Sequence, residues 1–308
     1  MRIGLITALS AAFLAFGSVG TTAAATTAGT ATSPLPATRA VTTRDAPQVT
    51  ARAAYLVDTT ADQVAFAKRD TRRLPVASLT KVMTAYVVRH EASLDDVITI
   101  TAADVKHAVA NGATSGGLRA GERLTVRELL YALMLPSGAD ASHALAERYG
   151  PGTRRFVAKM NAAAAKLGLA DTRYVNPDGL PAKGAYSTAR DQVALARVAL
   201  DDPVIAVVAK ARTHKVAASK IHRAHVWRNT NTLLSYGSYG AIGLKTGYTE
   251  AAGFCLTFAA VRDEHTYVGV ILGETSEARR LATARKLLDW AAGEPESGAA
   301  APLSGRLR

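Results

Sequence analysis

Stretches that read as β-strands stand near both ends of this chain, and stretches that read as helices stand between them. At the start, 53–58 and 64–68 are strand-like and separated by a short polar turn. In the last third, strands are expected near 213–217, 222–228, 242–248, 253–262 and 266–272, followed by a helix over about 276–292. Between them, 78–90, 154–167 and 188–200 carry helical periodicity. Thr125 and Glu128 form a capping box ahead of the apolar run 129–133. Strands from the two ends can share a core if the chain doubles back. The pattern therefore predicts an α/β molecule: one antiparallel sheet built from both chain ends, plus a mostly helical lobe. With 308 residues, 48% of them hydrophobic, the chain can fill a large core in one domain or two closely joined lobes.

Three short motifs are distributed over this frame: Ser78-Leu79-Thr80-Lys81, Ser137-Gly138-Ala139 and Lys245-Thr246-Gly247. Any one of them occurs by chance, but the ordered set points to serine acyl transfer. Ser78 opens an apolar helical run, and Pro75 suits the approach to a helix start. Residues three apart on a helix share a face, so Lys81 projects beside Ser78. A serine hydroxyl needs a nearby base, and a lysine serves only when its amine is neutral. Partial burial and a second cation both favour the neutral amine. Lys245 is the expected second cation. A serine at a helix N-terminus also lies where free backbone N–H groups favour developing negative charge.

These residues, with their neighbours, resemble the low-molecular-mass penicillin-binding proteins of the serine D-Ala-D-Ala carboxypeptidase family over roughly residues 52–292. The resemblance includes the segments around Pro75 to Thr84 and Leu135 to Ala141. It continues through Phe156-Val157, Met160-Asn161, Leu167-Gly168 and Asn176-Pro177-Asp178-Gly179-Leu180. It ends with Asn229 to Leu234, Gly243 to Thr249, Ala252-Gly253 and Arg280. It implies a β-lactamase/penicillin-binding-protein-like fold with its cleft between sheet and helical lobe. It also implies an enzyme that removes the terminal D-alanine from peptidoglycan stem pentapeptides and that β-lactams inhibit covalently. In that reading Ser78 is the nucleophile and Lys81 its base. The backbone N–H groups of Ser78 and Tyr248 form the oxyanion hole. Ser137 and Lys245 relay a proton to the leaving D-alanine. Lys245, Thr246 and Arg280 hold the terminal carboxylate, which calls for cations and a hydroxyl donor. Gly247 allows the substrate backbone to come close. No cofactor and no metal are expected.

Two positions depart from the family pattern. The second motif ends in Ala139 where the family usually has asparagine. One oriented donor in such a site is worth roughly 2.7–4 kcal/mol. Asp140 is not a substitute, because the next residue on a helix points elsewhere. Thr230 stands between Asn229 and Asn231 where some members carry arginine. Three alternatives remain open at this point. A class A β-lactamase requires a deacylating glutamate in an E-x-x-L-N segment, and none lies between Ser137 and Lys245. A D,D-endopeptidase cutting cross-links uses the same residues. A pseudoenzyme that binds wall peptides or β-lactams without turnover is the third.

The remaining features set the context. Arg2, the apolar stretch 3–16 and Ala23-Ala24-Ala25 read as a signal peptide over 1–25. Residues 26–50 read as a flexible Thr/Ala/Pro-rich linker, 51–292 as the catalytic domain and 293–308 as a flexible tail. After cleavage no membrane span is expected. The expectation is an exported monomer in the extracellular, wall or periplasm-like space. Cys255 is the single cysteine, which excludes an internal disulfide and reads as a core strand residue. His222 and His225 are expected on opposite faces of a strand, not as a ligand pair. The net charge of +12 is spread without runs or an aromatic stripe, which argues against nucleic acid as a partner. Attraction to an anionic cell wall is a smaller expectation.

Overall fold

The computed structural model describes residues 45–293. The expected signal peptide, the linker up to residue 44 and the tail from 294 lie outside the described residues. The chain opens with β1 (Ala53–Asp58) and β2 (Gln63–Lys68), then α1 (Thr80–Glu91), β3 (Val97–Thr99) and α2 (Ala102–Ala110). Next come β4 (Arg123–Thr125), α3 (Val126–Met134), α4 (Ala139–Tyr149), α5 (Thr153–Lys166), α6 (Ala189–Asp201) and α7 (Pro203–Lys210). The last third carries β5 (Thr213–Val216), β6 (His225–Arg228), β7 (Ala241–Thr249), β8 (Gly253–Arg262), β9 (His265–Glu274) and α8 (Glu277–Ala291).

The five-stranded sheet has the order β2-β1-β9-β8-β7, and every pairing in it is antiparallel. The two chain ends meet where β1 pairs with β9, as the strand pattern at both ends predicts. All six residues of β1 are buried because both sheet faces are covered. Ala53, Tyr55 and Val57 face the core shared with the helical lobe, while Ala54 and Leu56 face the core under α8. This is the period of two expected of a strand. Beneath α8, the buried Arg262 guanidinium pairs with Asp289 at 2.8 Å and fastens the helix to β8.

The capping box at Thr125 and Glu128 forms as expected, and a second one, Thr101 with Asp104, starts α2. The segment just before β1 is packed: Lys68 Nζ donates to Val49 O at 2.6 Å, and Thr50 Oγ1 donates to Glu274 Oε2 at 2.8 Å. The packed body thus begins a few residues ahead of Ala51. One strand is shorter than expected. β6 begins at His225, because Ser219 N donates to His222 O at 2.9 Å and closes a turn there. His222 therefore lies off the strand, and its ring centre is 6.5 Å from that of His225 instead of on the opposite face. Cys255 is a fully buried free thiol, and burial pushes its pKa up to about 11.

Candidate active site

Residues Ala77–Leu79 form a single 3₁₀ turn that runs directly into α1. Ser78 thus sits just ahead of the helix, and Lys81 is the second residue within it. Lys81 Nζ donates to Ser78 Oγ at 3.1 Å and to the main-chain oxygen of Asp178 at 2.7 Å. The lysine is almost fully buried, and desolvation lowers its pKa to about 8 while the charges of Asp178 and Asp140 oppose the fall. The expected influence of Lys245 falls elsewhere. Lys245 itself is held well below the usual lysine range, by burial first and then by the charges of Lys81 and Arg280. Burial is what prepares Lys81 as a base, and it does so because α1 is packed on nearly every side.

Two non-glycine residues at the site have left-handed backbones: Ala77 at φ +50° and Ser137 at φ +71°. Such residues cost about 1–3 kcal/mol each and concentrate at functional positions. The Ser137 hydroxyl is buried and has no hydrogen-bond partner among the described residues. An unpaired buried hydroxyl is costly, so its persistence suits a group that awaits a ligand. Ala139 starts α4 and is buried, with no side-chain donor to offer. The Asp140 side chain is engaged by the loop at 115–118. Its carboxylate accepts from Ser115 Oγ and from the backbone N–H groups of Gly116, Leu118 and Ala141. Trp227 Nε1 donates to Gly116 O at 2.7 Å and holds the same loop from the other side.

The third motif lies on β7, an edge strand. One edge pairs with β8, and the nucleophile turn lies close against this strand. A Cβ at Gly247 would stand 2.9 Å from Val76 O and 3.1 Å from Ser78 N. The need for glycine here comes first from the nucleophile turn, a nearer reason than close approach of substrate. Thr246 Oγ1 shares a 2.6 Å hydrogen bond with Thr230 Oγ1, and Thr230 N donates to Leu135 O at 3.1 Å. Thr230 therefore ties the second motif to the third. Thr230→Val keeps the shape and the backbone bond but removes the hydroxyl bonds to Thr246 Oγ1 and to Leu135 O. It is expected to cost about 1 kcal/mol, a fall of about 2–4 °C in the unfolding midpoint for a domain this size. An unchanged midpoint would show that Thr246 finds another partner. Arg280, on α8, is buried against the Phe254 ring and pairs with Glu277 at 3.0 Å. The Tyr248 side chain is exposed and packs on Phe254.

Sequence reasoning assigned no role to Asp178. Asn176-Pro177-Asp178-Gly179 reads as a turn, but nothing in the turn signature says that its carbonyl oxygen meets Lys81. The turn is clamped by Ser142 Oγ and Thr84 Oγ1, both donating to Pro177 O. The Asp178 carboxylate lies 2.5 Å from His107 Nε2, the His107 ring stacks on His143 at 4.6 Å, and His143 Nδ1 lies 2.6 Å from Asp104 Oδ1. Burial works to raise the pKa of Asp178 and of Asp104. Their histidine hydrogen bonds, with further contacts, outweigh it and hold both low. A carboxylate held low stabilises the fold above the unfolded pKa of about 4, and that contribution is lost as pH falls through the folded value. His143 is held high by its bond to Asp104, so its contribution is present below about pH 6.5 and fades as pH rises through the folded value. The unfolding midpoint should therefore drop steeply below about pH 4. Asp178→Asn should flatten that acid limb; a limb identical to the parent's would remove Asp178 from the account.

The structure brings Ser78, Lys81 and Gly247 together, buries the Lys245 side chain, and joins Thr246 through Thr230 to Leu135, two residues before Ser137. Known proteins resemble this chain in sequence and in fold. The sequence pattern of the D-alanyl-D-alanine carboxypeptidase family matches residues 40–276. A D-alanyl-D-alanine carboxypeptidase of Streptomyces sp. (strain K15) is 38% identical over 79% of this chain and 88% of its own length. The D-alanyl-D-alanine carboxypeptidase DacF of Bacillus subtilis is 32% identical over 80% of this chain, which spans only 63% of that longer relative. Among solved structures, the Streptomyces K15 DD-transpeptidase superposes with a TM-score of 0.76 at 38% identity, covering 80% of this chain and 98% of that one.

Proposed function

The chain belongs to the D-alanyl-D-alanine carboxypeptidase family, and from that premise we propose that it removes the terminal D-alanine from peptidoglycan stem pentapeptides through an acyl-enzyme at Ser78. The observation that carries this reading is the 3.1 Å bond between Lys81 Nζ and Ser78 Oγ, with the amine buried and its pKa brought down to about 8. Ser78 Oγ attacks the carbonyl of the penultimate D-alanine while neutral Lys81 takes its proton. The backbone N–H groups of Ser78 and Tyr248 receive the oxyanion; the closeness of Gly247 to Ser78 N supports that pairing. The Ser137 hydroxyl, which has no partner among the described residues, hands a proton with Lys245 to the departing D-alanine. Lys245, Thr246 and Arg280 hold the terminal carboxylate, and Thr230 orients the Thr246 hydroxyl. Water then releases the stem tetrapeptide. A β-lactam enters as a substrate mimic and leaves Ser78 acylated.

The Asp178 carboxylate is turned to His107, so the turn facing Lys81 offers it a carbonyl oxygen and not the acid that rapid β-lactam hydrolysis requires. The leader at the N-terminus, 1–25 in this reading, suits a substrate outside the cytoplasm, with the catalytic domain over 51–292 acting there. No helix among the described residues is long and apolar enough to cross a membrane. The test is mass spectrometry of pentapeptide monomers and cross-linked dimers incubated with the mature protein, using penicillin-blocked protein as control. Loss of one alanine from monomers is expected. Cleaved dimers would move the assignment to an endopeptidase, and new dimers to a transpeptidase. Unchanged peptides alongside a stably penicillin-labelled Ser78 would leave a binding protein.

A further inference from the structure

A cavity of about 410 Å³ adjoins the nucleophile turn and is not used by any step above. Its wall includes Ala77 and Thr80 on either side of Ser78, Thr249 and Ala251 at the far end of β7, and Arg173 and Lys183 at the outer rim. The order of groups along β7 says which part of a substrate reaches it. The terminal carboxylate belongs at Lys245 and Thr246, and the attacked carbonyl lies beside Gly247 and Ser78. A peptide laid antiparallel on the free edge of β7 then continues toward Thr249, about 7 Å past Gly247. The cavity therefore receives the acyl side of the substrate, at the residue that precedes D-Ala-D-Ala.

The charge at this cavity is one-sided. Arg173 and Lys183 are exposed, and neither side chain makes an ion pair or hydrogen bond among the described residues. The neighbouring Arg73 is different: it pairs with Asp171 at 2.7 Å and lies over the Tyr186 ring, so its charge is already answered. Asp178, the acid nearest in the same loop, points inward to His107. Glu250 is exposed in the turn after β7 and does not line the cavity. The volume suits one side chain with its polar end, within the range of ligand pockets. We propose that this cavity is an acyl-side subsite selecting peptides in which the residue before D-Ala-D-Ala carries a free side-chain carboxylate, met by Arg173 and Lys183. The inference rests on the carboxypeptidase reading for the direction of the substrate.

Matched peptides test it: N-acetyl-L-Glu-D-Ala-D-Ala against N-acetyl-L-Gln-D-Ala-D-Ala, which differ in that one carboxylate. The two rim cations, as exposed charges, give the acid an expected advantage of about tenfold in kcat/KM for D-alanine release, about 1.4 kcal/mol. The advantage should shrink in about 0.5 M salt. It should fall to about one in the double variant Arg173→Gln/Lys183→Gln and reverse in Arg173→Glu/Lys183→Glu. Each ratio is internal to one protein, so partial loss of folding does not imitate the result. Equal kcat/KM for the two peptides in the parent protein, or a preference that survives the double variant, would overturn the subsite. If neither peptide releases D-alanine, the hydrolytic reading fails, and competition with a fluorescent penicillin for Ser78 decides the subsite by itself. Stronger protection by the glutamyl peptide then supports it, and equal protection overturns it.

Discussion

Lys81→Met is expected to slow acylation of Ser78 by a penicillin by about 10³–10⁴-fold, near the upper range for loss of a positioned base. Methionine fills the space of the lysine stem but cannot take a proton from Ser78 Oγ, 3.1 Å away. With a pKa of about 8, the native amine is neutral in only about one molecule in ten at pH 7. The acylation rate of the parent protein should therefore climb with pH through about 8 and level off above it. Intact-protein mass spectrometry over time measures both effects. Acylation of the methionine variant within tenfold of the parent would remove Lys81 from the mechanism.

In Lys81→Met, stability should move opposite to activity. The folded state sheds the Lys81 proton near pH 8, while an unfolded lysine holds it to about 10.4. Between those values the unfolded chain binds more protons, so stability rises with pH across that window. Below it, the buried amine carries a cost of about 3 kcal/mol. Lys81→Met removes that cost, so its unfolding midpoint at pH 7 should be no lower than the parent's. A dead and less stable variant would instead indicate misfolding.

Gly179→Ala is expected to be the most damaging single-methyl change near the site. Gly179 has φ +81°, and a Cβ there would lie 1.9 Å from Ala77 O and 2.9 Å from Thr80 Oγ1. The first neighbour is backbone and cannot swing aside. Left-handed strain of about 1–3 kcal/mol adds to an overpacking cost of similar size, for a total on the order of 4 kcal/mol. The clash falls on the residue before the nucleophile, so acylation should fall together with stability. Chemical denaturation and penicillin labelling at low temperature would read the two. A loss below about 1 kcal/mol would show that the turn at 176–179 can move away from Ala77.

Much of the fold was legible because it follows from local periodicity. The six residues of β1, the run of β8 and the helices α5, α6 and α8 declare themselves within a turn or two of chain. The short pieces did not. β3 and β4 have three residues each and gain definition only by pairing with each other. The break before β6 depends on one backbone bond at Ser219 and His222.

The site divides in the same way. Ser78 with Lys81, and Lys245 with Thr246 and Gly247, are each contiguous, so the chemistry was readable from their spacing. The sequence by itself determined the kind of reaction and the strands that would carry it. The tertiary structure decided what prepares each group. Lys81 is brought to about 8 by burial and held by a carbonyl oxygen 97 residues away. Thr246 is oriented by Thr230, and the Ser137 hydroxyl meets no partner among the described residues. A pKa and a hydrogen bond depend on which atoms lie within a few ångströms, and those atoms come from parts of the chain that only folding brings together.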